Sequence, residues 1–551
     1  MHGNIKSSVG LGVNRSMFFR NLFFIVLILG GAATLVANLI PPKHGFKPTP
    51  TNPEVFQKND FLETVYRVNA SFEQTWQKNK IQPAVNADDL TIARRLALGL
   101  MGTIPSLEEI RQFESRPEGE RLTWWIDHVL QDRRFADYLA ERFARVFVGT
   151  EDGPFILFRR RKFSSWLSDQ ITLNVPYDQI VREVISTEGI WTEKPATNFI
   201  TVTAQKDKSN QPDPVRLAGR VTRAFLGIRL DCAQCHDHPF APWKQTDFES
   251  FSAFFGQTHV GLRGVYDGAG EYTIDDKRKG IKRTITPKVS YAPHLLPEEG
   301  ALRARLSAWV THRENTYFSQ AAVNRVWAIL CGQPLVSPVD NLETEGGVPP
   351  ALKILAEDFA LHGHDIARLI RIIASTKTYR MQSLSDNDDS VNAEKLWAQF
   401  PLGRLRPEQV AGSILQASSV STIDAESHIL TRLARFGDQN DFVKRYGDSS
   451  DDEFDNRGGT IPQRLVMMNG KLVSEKTKGG PFSATTRIQW LAPSDVKSIE
   501  AVFLTALTRR PTAEESDFFE QNLKNPEVSK GQQIQDLFWA LINSTEFSWN
   551  H

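Results

Sequence analysis

Cysteine is scarce in this chain: three occur in 551 residues. A fold stapled by disulfides is thereby excluded, and core packing has to supply the stability. An excess of charge of either sign is also missing, because 65 Lys and Arg balance 65 Asp and Glu. Without a basic surplus there is no electrostatic footprint for nucleic acid. The sequence also lacks H-E-x-x-H, G-x-S-x-G, the P-loop and the dinucleotide fingerprint, so none of the reactions tied to those motifs is indicated.

What is present has the texture of a globular protein. Hydrophobic residues make up 40% and charged residues 24%, and the length allows two to four domains with cores of their own. Near the start, the 19 residues Leu22 to Ile40 carry no charge, enough to cross a bilayer as one helix. This divides the beginning of the chain into a polar segment at 1–16, expected on the cytoplasmic side, a transmembrane anchor at 17–40 and a proline-rich spacer at 41–53. A cleavable signal peptide is the rival reading, since Lys6 and Arg15 precede the apolar run. Its apolar core is normally shorter, and no clean small-x-small site precedes Pro41-Pro42. Pro41, Pro42, Pro48, Pro50 and Pro53 stiffen the spacer. It would hold the bulk of the chain off the membrane, in the periplasm or an equivalent extracytoplasmic space.

From residue 54 apolar residues recur at three-to-four spacing, which predicts helices. Asp88-Asp89 can cap a helix over Leu90 to Leu100, and Ser106 with Glu109 reads as a capping box. Stripes follow at Leu122, Trp125, Ile126 and Val129, and at Phe135, Tyr138, Leu139, Phe143 and Val146. The basic run Arg159 to Lys162 opens a helix through Trp166 and Ile171. A solvated face is the first reading of that run, a seat for an anionic group the second. Pro214 to Gly227 reads as a helix, with Asp247 as the cap of an aromatic helix over Phe248 to Phe255.

Between Gly256 and Pro293, Gly-rich stretches alternate with β-prone runs at Tyr272 to Ile274, Arg283 to Ile285 and Val289 to Tyr291. Helices are then predicted at Leu302 to Val310, Phe318 to Leu330 (stopped by Gly332), Ala351 to Leu361, Ile366 to Ala374, Val496 to Leu507 and Ile534 to Ile542. His362 and His364 are expected on the surface, flanking a left-handed Gly363 turn, with Asp365 capping the next helix. Residues 383–392 and 448–456 read as acidic loops. The expected architecture is mainly α. A helical domain at 54–257 is joined by a small β-hairpin-bearing linker at 258–297 to a second helical domain at 298–551, with one transmembrane helix ahead of them.

The chemistry concentrates in Leu230 to Pro239, where Cys232, Cys235 and His236 form C-x-x-C-H. Two thiols three positions apart can take two porphyrin vinyl groups as thioethers, and the next imidazole can rise beneath the iron as proximal ligand. Covalent haem c is the first cofactor reading. Others stay open. Cys232 and Cys235 can be a disulfide or a redox dithiol. With His236 and His238 they can gather around zinc or iron, Asp237 then acting behind the metal or as an acid–base group. His259, His294, Met381, Met467 and Met468 are candidates for a sixth iron ligand. Cys331 closes an apolar helix and reads as a buried, inert thiol.

Taken together, these residues resemble the planctomycete-type cytochrome-c-like proteins built from two tandem domains of unknown function, numbered fifteen-forty-nine and fifteen-fifty-three. The first is matched by Gly102-Thr-Ile-Pro-Ser-Leu-Glu-Glu109 and by Ala224 through Phe240, which contains the Cys/His motif. The second is matched by Asn324-Arg-Val-Trp327, Leu369-Ile-Arg371 with Ser375 and Thr378-Tyr379, Thr460-Ile-Pro-Gln463, and Leu541-Ile-Asn-Ser544 with Glu546-Phe547. The resemblance covers nearly everything after residue 55. It implies an exported protein with a haem at Cys232, Cys235 and His236. Many relatives carry a separate cytochrome-c-like domain near the N-terminus, where this chain has the anchor and spacer. Two function classes are carried forward. One is a membrane-anchored extracytoplasmic c-type haem protein that transfers electrons or serves an unidentified redox partner. The other is a non-haem exported metal-binding enzyme or binding module, or a structural protein with a local disulfide.

Overall fold

The structure, a computed structural model, describes residues 21–30, 53–150, 158–204, 211–239, 241–276, 281–343, 347–384, 390–424, 438–439, 441–447, 454, 459–480 and 483–551. It is mainly helical, with three antiparallel two-stranded sheets. Residues 21–30 are helical and exposed, and the rest of the expected span, 31–40, lies outside the described residues, as does most of the spacer. Among the described residues no helix is long and apolar enough to cross a membrane. Of the two expected acidic loops, 385–389 and all of 448–456 but Phe454 also fall outside.

Local chemistry sets the helix boundaries. Asp88 caps the helix Asp89–Met101 by accepting from Thr91 N at 3.0 Å, and Ser106 and Glu109 form the anticipated capping box of Leu107–Glu114. The stretch from Ile92 to Met101 is buried on every side. Its apolar side chains face two cores, and Arg94 and Arg95 remain to be satisfied. Arg94 donates to the carbonyls of Ala506 and Phe547, and Arg95 to those of Tyr379, Met381 and His551. Burial pushes both guanidinium groups down to about 10, yet each still carries its charge at neutral pH among these carbonyl dipoles. This central helix therefore pins the C-terminal helices to the rest.

The apolar core does not divide at 258–297. One cluster runs from Phe61 to Phe400, taking in both the first helical region and the helices Leu302–Val310, Thr316–Cys331, Pro350–Leu361 and Ile366–Ser375. A second gathers residues from Leu405 to Phe547, with Leu98 and Ile104 reaching into it. The expected single hairpin is two: Thr258–Gly261 with Gly264–Asp267, and Thr273–Asp276 with Ile281–Thr284. Val289 to Tyr291 is not a strand. The first hairpin is stitched to the first region by mutual backbone bonds between Gly189 and Val265, at 2.8 and 2.9 Å. The wholly buried Arg303 joins Asp267 at 2.7 Å to the carbonyls of Ile185 and Thr187.

Two smaller expectations need correction. Asp247 does not cap its helix. Gln245–Ser252 starts earlier, and Asp247 sits in its first turn, accepting from Lys244 N at 2.8 Å. His364 is not on the surface: it is 4% exposed, between the edges of Phe318 and Phe359. Gly363 and Asp365 do make the predicted left-handed turn and cap. That turn, however, folds the imidazole inward, to 3.3 Å from Ser319 Oγ and 3.6 Å from Asp178. With Ser319 only 2% exposed, the row of carboxylate, imidazole and hydroxyl ties this turn to two helices, Tyr177–Ser186 and Thr316–Cys331.

Buried ion pairs tie the stability of this fold to pH on the acid side. Burial raises the Glu109 carboxyl, but His128, Arg134 and the Ser106 N–H together overcome it and hold the group at about 2 instead of 4.5. A depressed folded value contributes stability that is full above pH 4.5 and lost as the pH falls towards 2. Glu109→Gln should cost about 3 kcal/mol at pH 7, the usual penalty for orphaning a buried partner. It should also flatten the loss of stability over that acid range. Denaturant titrations of both proteins across a pH series check this.

Candidate functional site

The Cys/His loop is aimed by the element before it. Asp213 caps the helix Pro214–Val221, accepting from Val215 N at 3.0 Å. The helix then widens into a π turn over Thr222–Leu226 and ends at Gly227, whose φ is 61°. A π turn accommodates an extra residue and so redirects the side chains that follow it. Gly227 is needed there for two reasons. The left-handed backbone disfavours an L side chain, and a Cβ would lie 2.8 Å from Leu342 Cγ. Leu342 N also donates to Gly227 O at 2.8 Å, so the turn is pressed against a segment of the second half.

Leu230–Ala233 forms a short 3₁₀ turn, in which side chains three apart eclipse. Leu230 and Ala233 point inward and are buried; Cys232 and Cys235, also three apart, are both exposed free thiols. His236 and Asp237 are exposed too, and His238 is half-buried. His236 Nδ1 lies 2.7 Å from the Asp237 carbonyl oxygen. A carbonyl can only accept, so Nδ1 carries a proton, which in the neutral ring leaves the lone pair on Nε2. The loop is closed behind it by His238 N donating to Trp243 O at 2.8 Å and Gln245 N donating to Asp237 Oδ1 at 2.9 Å. Asp237 thus supports the imidazole through its backbone and the next helix through its carboxylate.

Four charges fix the base of the loop. The Arg223 guanidinium lies on the Asp231 carboxylate, with Nε at 2.9 and 3.0 Å, and extends Nη1 to Asp340 at 3.2 Å. Arg229 grips Asp340 through Nε at 3.0 Å and Nη2 at 2.7 Å. Burial opposes the charge on Arg223, but Asp231 and Asp340 outweigh it and raise its pKa above the ordinary arginine value. Next to Asp340, Glu343 accepts from Trp243 Nε1 at 2.5 Å. The motif therefore rests on residues more than a hundred positions away. Nothing in the sequence marked Asp340 or Glu343, and only the eight-residue spacing of Arg223 and Asp231 offered a local hint.

Other expected site residues lie elsewhere. Met381 is fully buried in the larger core and Met467 in the smaller. Met468 and His294 are exposed, and His259 packs on Tyr266 in the first hairpin. In the basic run, Arg160 forks onto Glu141 at 2.8 and 2.9 Å. Cys331 is buried, and burial pushes its thiol well above the ordinary value. Cys232, Cys235, His236 and His238 do not converge as three or more metal-capable atoms. Among the described residues only Glu109, His128 and Asp132 come within 4.8 Å in that sense. The Arg134 guanidinium lies among them, paired with Glu109 and Asp132, and occupies the place a cation would take.

Fold and site together define a class: a helical protein that presents an exposed Cys/His loop on a base shared by its two halves. Residues 67–260 match the PSCyt2 family, described as a protein of unknown function (DUF1549), and residues 302–428 match PSD1, described as a protein of unknown function (DUF1553). The chain carries these two domains in tandem. No curated protein and no solved structure matches it.

The thiols report directly on this arrangement. In the chain with nothing attached to its thiols, two of the three should react at once with a disulfide reagent under native conditions, and Cys331 only on unfolding. Asp340→Ala should cost about 1–2 kcal/mol, between the values for exposed and buried pairs. It should also change the reaction rates of Cys232 and Cys235 without making Cys331 reactive. Timed thiol titration of the variant and the parent measures both effects.

Proposed function

We propose that this chain is an exported, membrane-anchored c-type haem protein that transfers electrons or serves a redox partner, with Cys232 and Cys235 as thioether anchors and His236 as proximal ligand. The observation that carries the reading is the bond from His236 Nδ1 to the Asp237 carbonyl. It leaves Nε2 as the ligating nitrogen and holds the ring as metal-bound histidines are commonly held. The exposure of both thiols, free of any partner sulfur, suits covalent attachment from outside. A haem held there supplies one-electron chemistry, with a potential tuned by the axial ligands and by burial.

The chain's own residues do the rest. Asp237 orients the imidazole, and Leu230 and Ala233 plug the loop into the core. The Arg223–Asp231–Arg229–Asp340 cluster keeps its base from shifting. Anchoring fits the helical residues 21–30, exposed and apolar from Leu22 to Leu29, within the uncharged run that continues to Ile40.

Expression with c-type maturation machinery tests the reading. After denaturation the chain should retain haem with a pyridine-haemochrome spectrum, and Cys235→Ala should lose the two-thioether form. A processed chain with the mass of the bare polypeptide overturns it, and bound zinc or iron without porphyrin would point to the metal-site alternative.

A further inference from the structure

Large apolar side chains stand on the outside of the second core in a pattern that packing of the chain does not use. On the helix Ile461–Asn469, Ile461 is 78% exposed, Leu465 52% and Met468 42%. Their spacing of four and then three places them on one face. Met467 is buried on the other side, in the second core. A helix that is apolar both inward and outward has more apolar surface than its own core covers. The helix Ala484–Leu491 ends in the same way, with Trp490 69% and Leu491 73% exposed beyond the buried Ile488. Scattered single apolar residues on a surface are ordinary; five in one run of helices, a tryptophan among them, mark a contact. The helix Lys471–Thr477 joins the two, and both it and Ala484–Leu491 pack on Lys530–Ile542. A Cβ at Gly479 would lie 3.5 Å from Thr486 Oγ1, so the end of one helix abuts the start of the next.

Charge sets the same run apart. Between Gly459 and Leu491 stand five basic residues and a single acidic one, Glu475, in a chain whose charges balance as a whole. Lys476 pairs with Asp438 and Lys471 with Glu475. Arg464, Lys478 and Arg487 are exposed and meet no carboxylate among the described residues. On the helix Ala513–Leu523 the sign is reversed, with Glu514, Glu515, Asp517 and Glu520 and no basic residue.

We propose that the run from Ile461 to Leu491 is a membrane-contacting face that lies on a bilayer surface carrying anionic phospholipid. Ile461, Leu465, Met468, Trp490 and Leu491 enter the boundary between headgroups and acyl chains. Arg464, Lys478 and Arg487 meet the lipid phosphates. Apolar side chains accompanied by basic ones are the composition with which helices lie in that boundary, and an indole suits it, with an apolar body and one N–H that stays hydrated. A protein partner would have to set carboxylates opposite three cations at fixed places, whereas lipid phosphates move to meet them. The face rests on the proposed function only in the anchor, which would keep it close to the bilayer at a high local concentration. With a second attachment besides the anchor, the Cys/His loop keeps one orientation to the membrane.

The test uses the full-length chain with Cys232→Ser and Cys235→Ser, Cys331 being buried, and so does not depend on haem. Leu491→Cys carries the fluorophore nitrobenzoxadiazole; Phe518→Cys, on the acidic helix, carries it as the control. In nanodiscs of phosphatidylcholine with phosphatidylglycerol, the probe at 491 should emit to the blue of the probe at 518 and be quenched severalfold more by doxyl-labelled lipid. Phosphatidylcholine alone, or molar salt, should remove most of that difference. Arg464→Gln combined with Arg487→Gln should do the same, at about fivefold in affinity for each basic residue lost. Water-like emission at 491 in the phosphatidylglycerol discs overturns the proposal. So does a blue shift at 491 that needs no lipid and grows with protein concentration, which would give the face to a second copy of the chain. Failure of the chain to enter the nanodisc counts against the anchor alone, and the two probes are then compared on phosphatidylglycerol vesicles added to the chain in solution, with the same two outcomes.

Discussion

Asp340 receives two guanidinium groups, from Arg223 and Arg229, and through them the whole Cys/His loop is referred to the second half of the chain. An exposed loop of small and polar residues has little apolar surface with which to hold one shape. Here the shape comes from charge pairs at its base, two small apolar plugs, and the backbone contact between Gly227 and Leu342. The loop can therefore leave its two thiols and an imidazole nitrogen facing outward without becoming a flexible tether. A site of this kind needs both halves, which agrees with the tandem pairing of the two family segments.

The same dependence between distant segments recurs through the molecule. Arg95 and Arg303 are fully buried side chains that donate to backbone carbonyls and, for Arg303, a carboxylate from distant segments. Each links elements whose sequence separation would otherwise make their docking a matter of apolar contact alone. Removing any one of these side chains would leave carbonyls unpaired in a dry interior, a larger loss than the net worth of the bonds made. The first core accordingly spans both family segments, while the C-terminal helices form a second core held to it through the helix Asp89–Met101.

Much of this was legible in the residues. Caps at Asp88, Ser106 and Asp365 fall where the local pattern put them, because a cap is decided by neighbours within three positions. Periodicity located the long helices for the same reason. The misses have a common cause in contacts made at long range. His364 looked like a turn residue, and only the packing of Phe318 and Phe359 shows that the turn points inward. The π turn before the loop has no signature of its own. Asp340 and Glu343 sit in an unremarkable segment, and their roles depend on residues a hundred positions earlier. Several motifs that carried the family resemblance turn out to serve the fold: Asn324 pins Val336 through both of its amide atoms, and Glu546 is gripped by Arg509.

The role of the loop depends on its being held in one shape in solution. Amide hydrogen exchange resolved to single residues measures that most directly. The N–H groups of Cys232, Gln234, His238 and Gln245 are bonded to Arg229 O, Asp231 O, Trp243 O and the Asp237 carboxylate, and should exchange far more slowly than in an unstructured peptide of the same sequence. Exchange of all four at the peptide rate would contradict a preformed site.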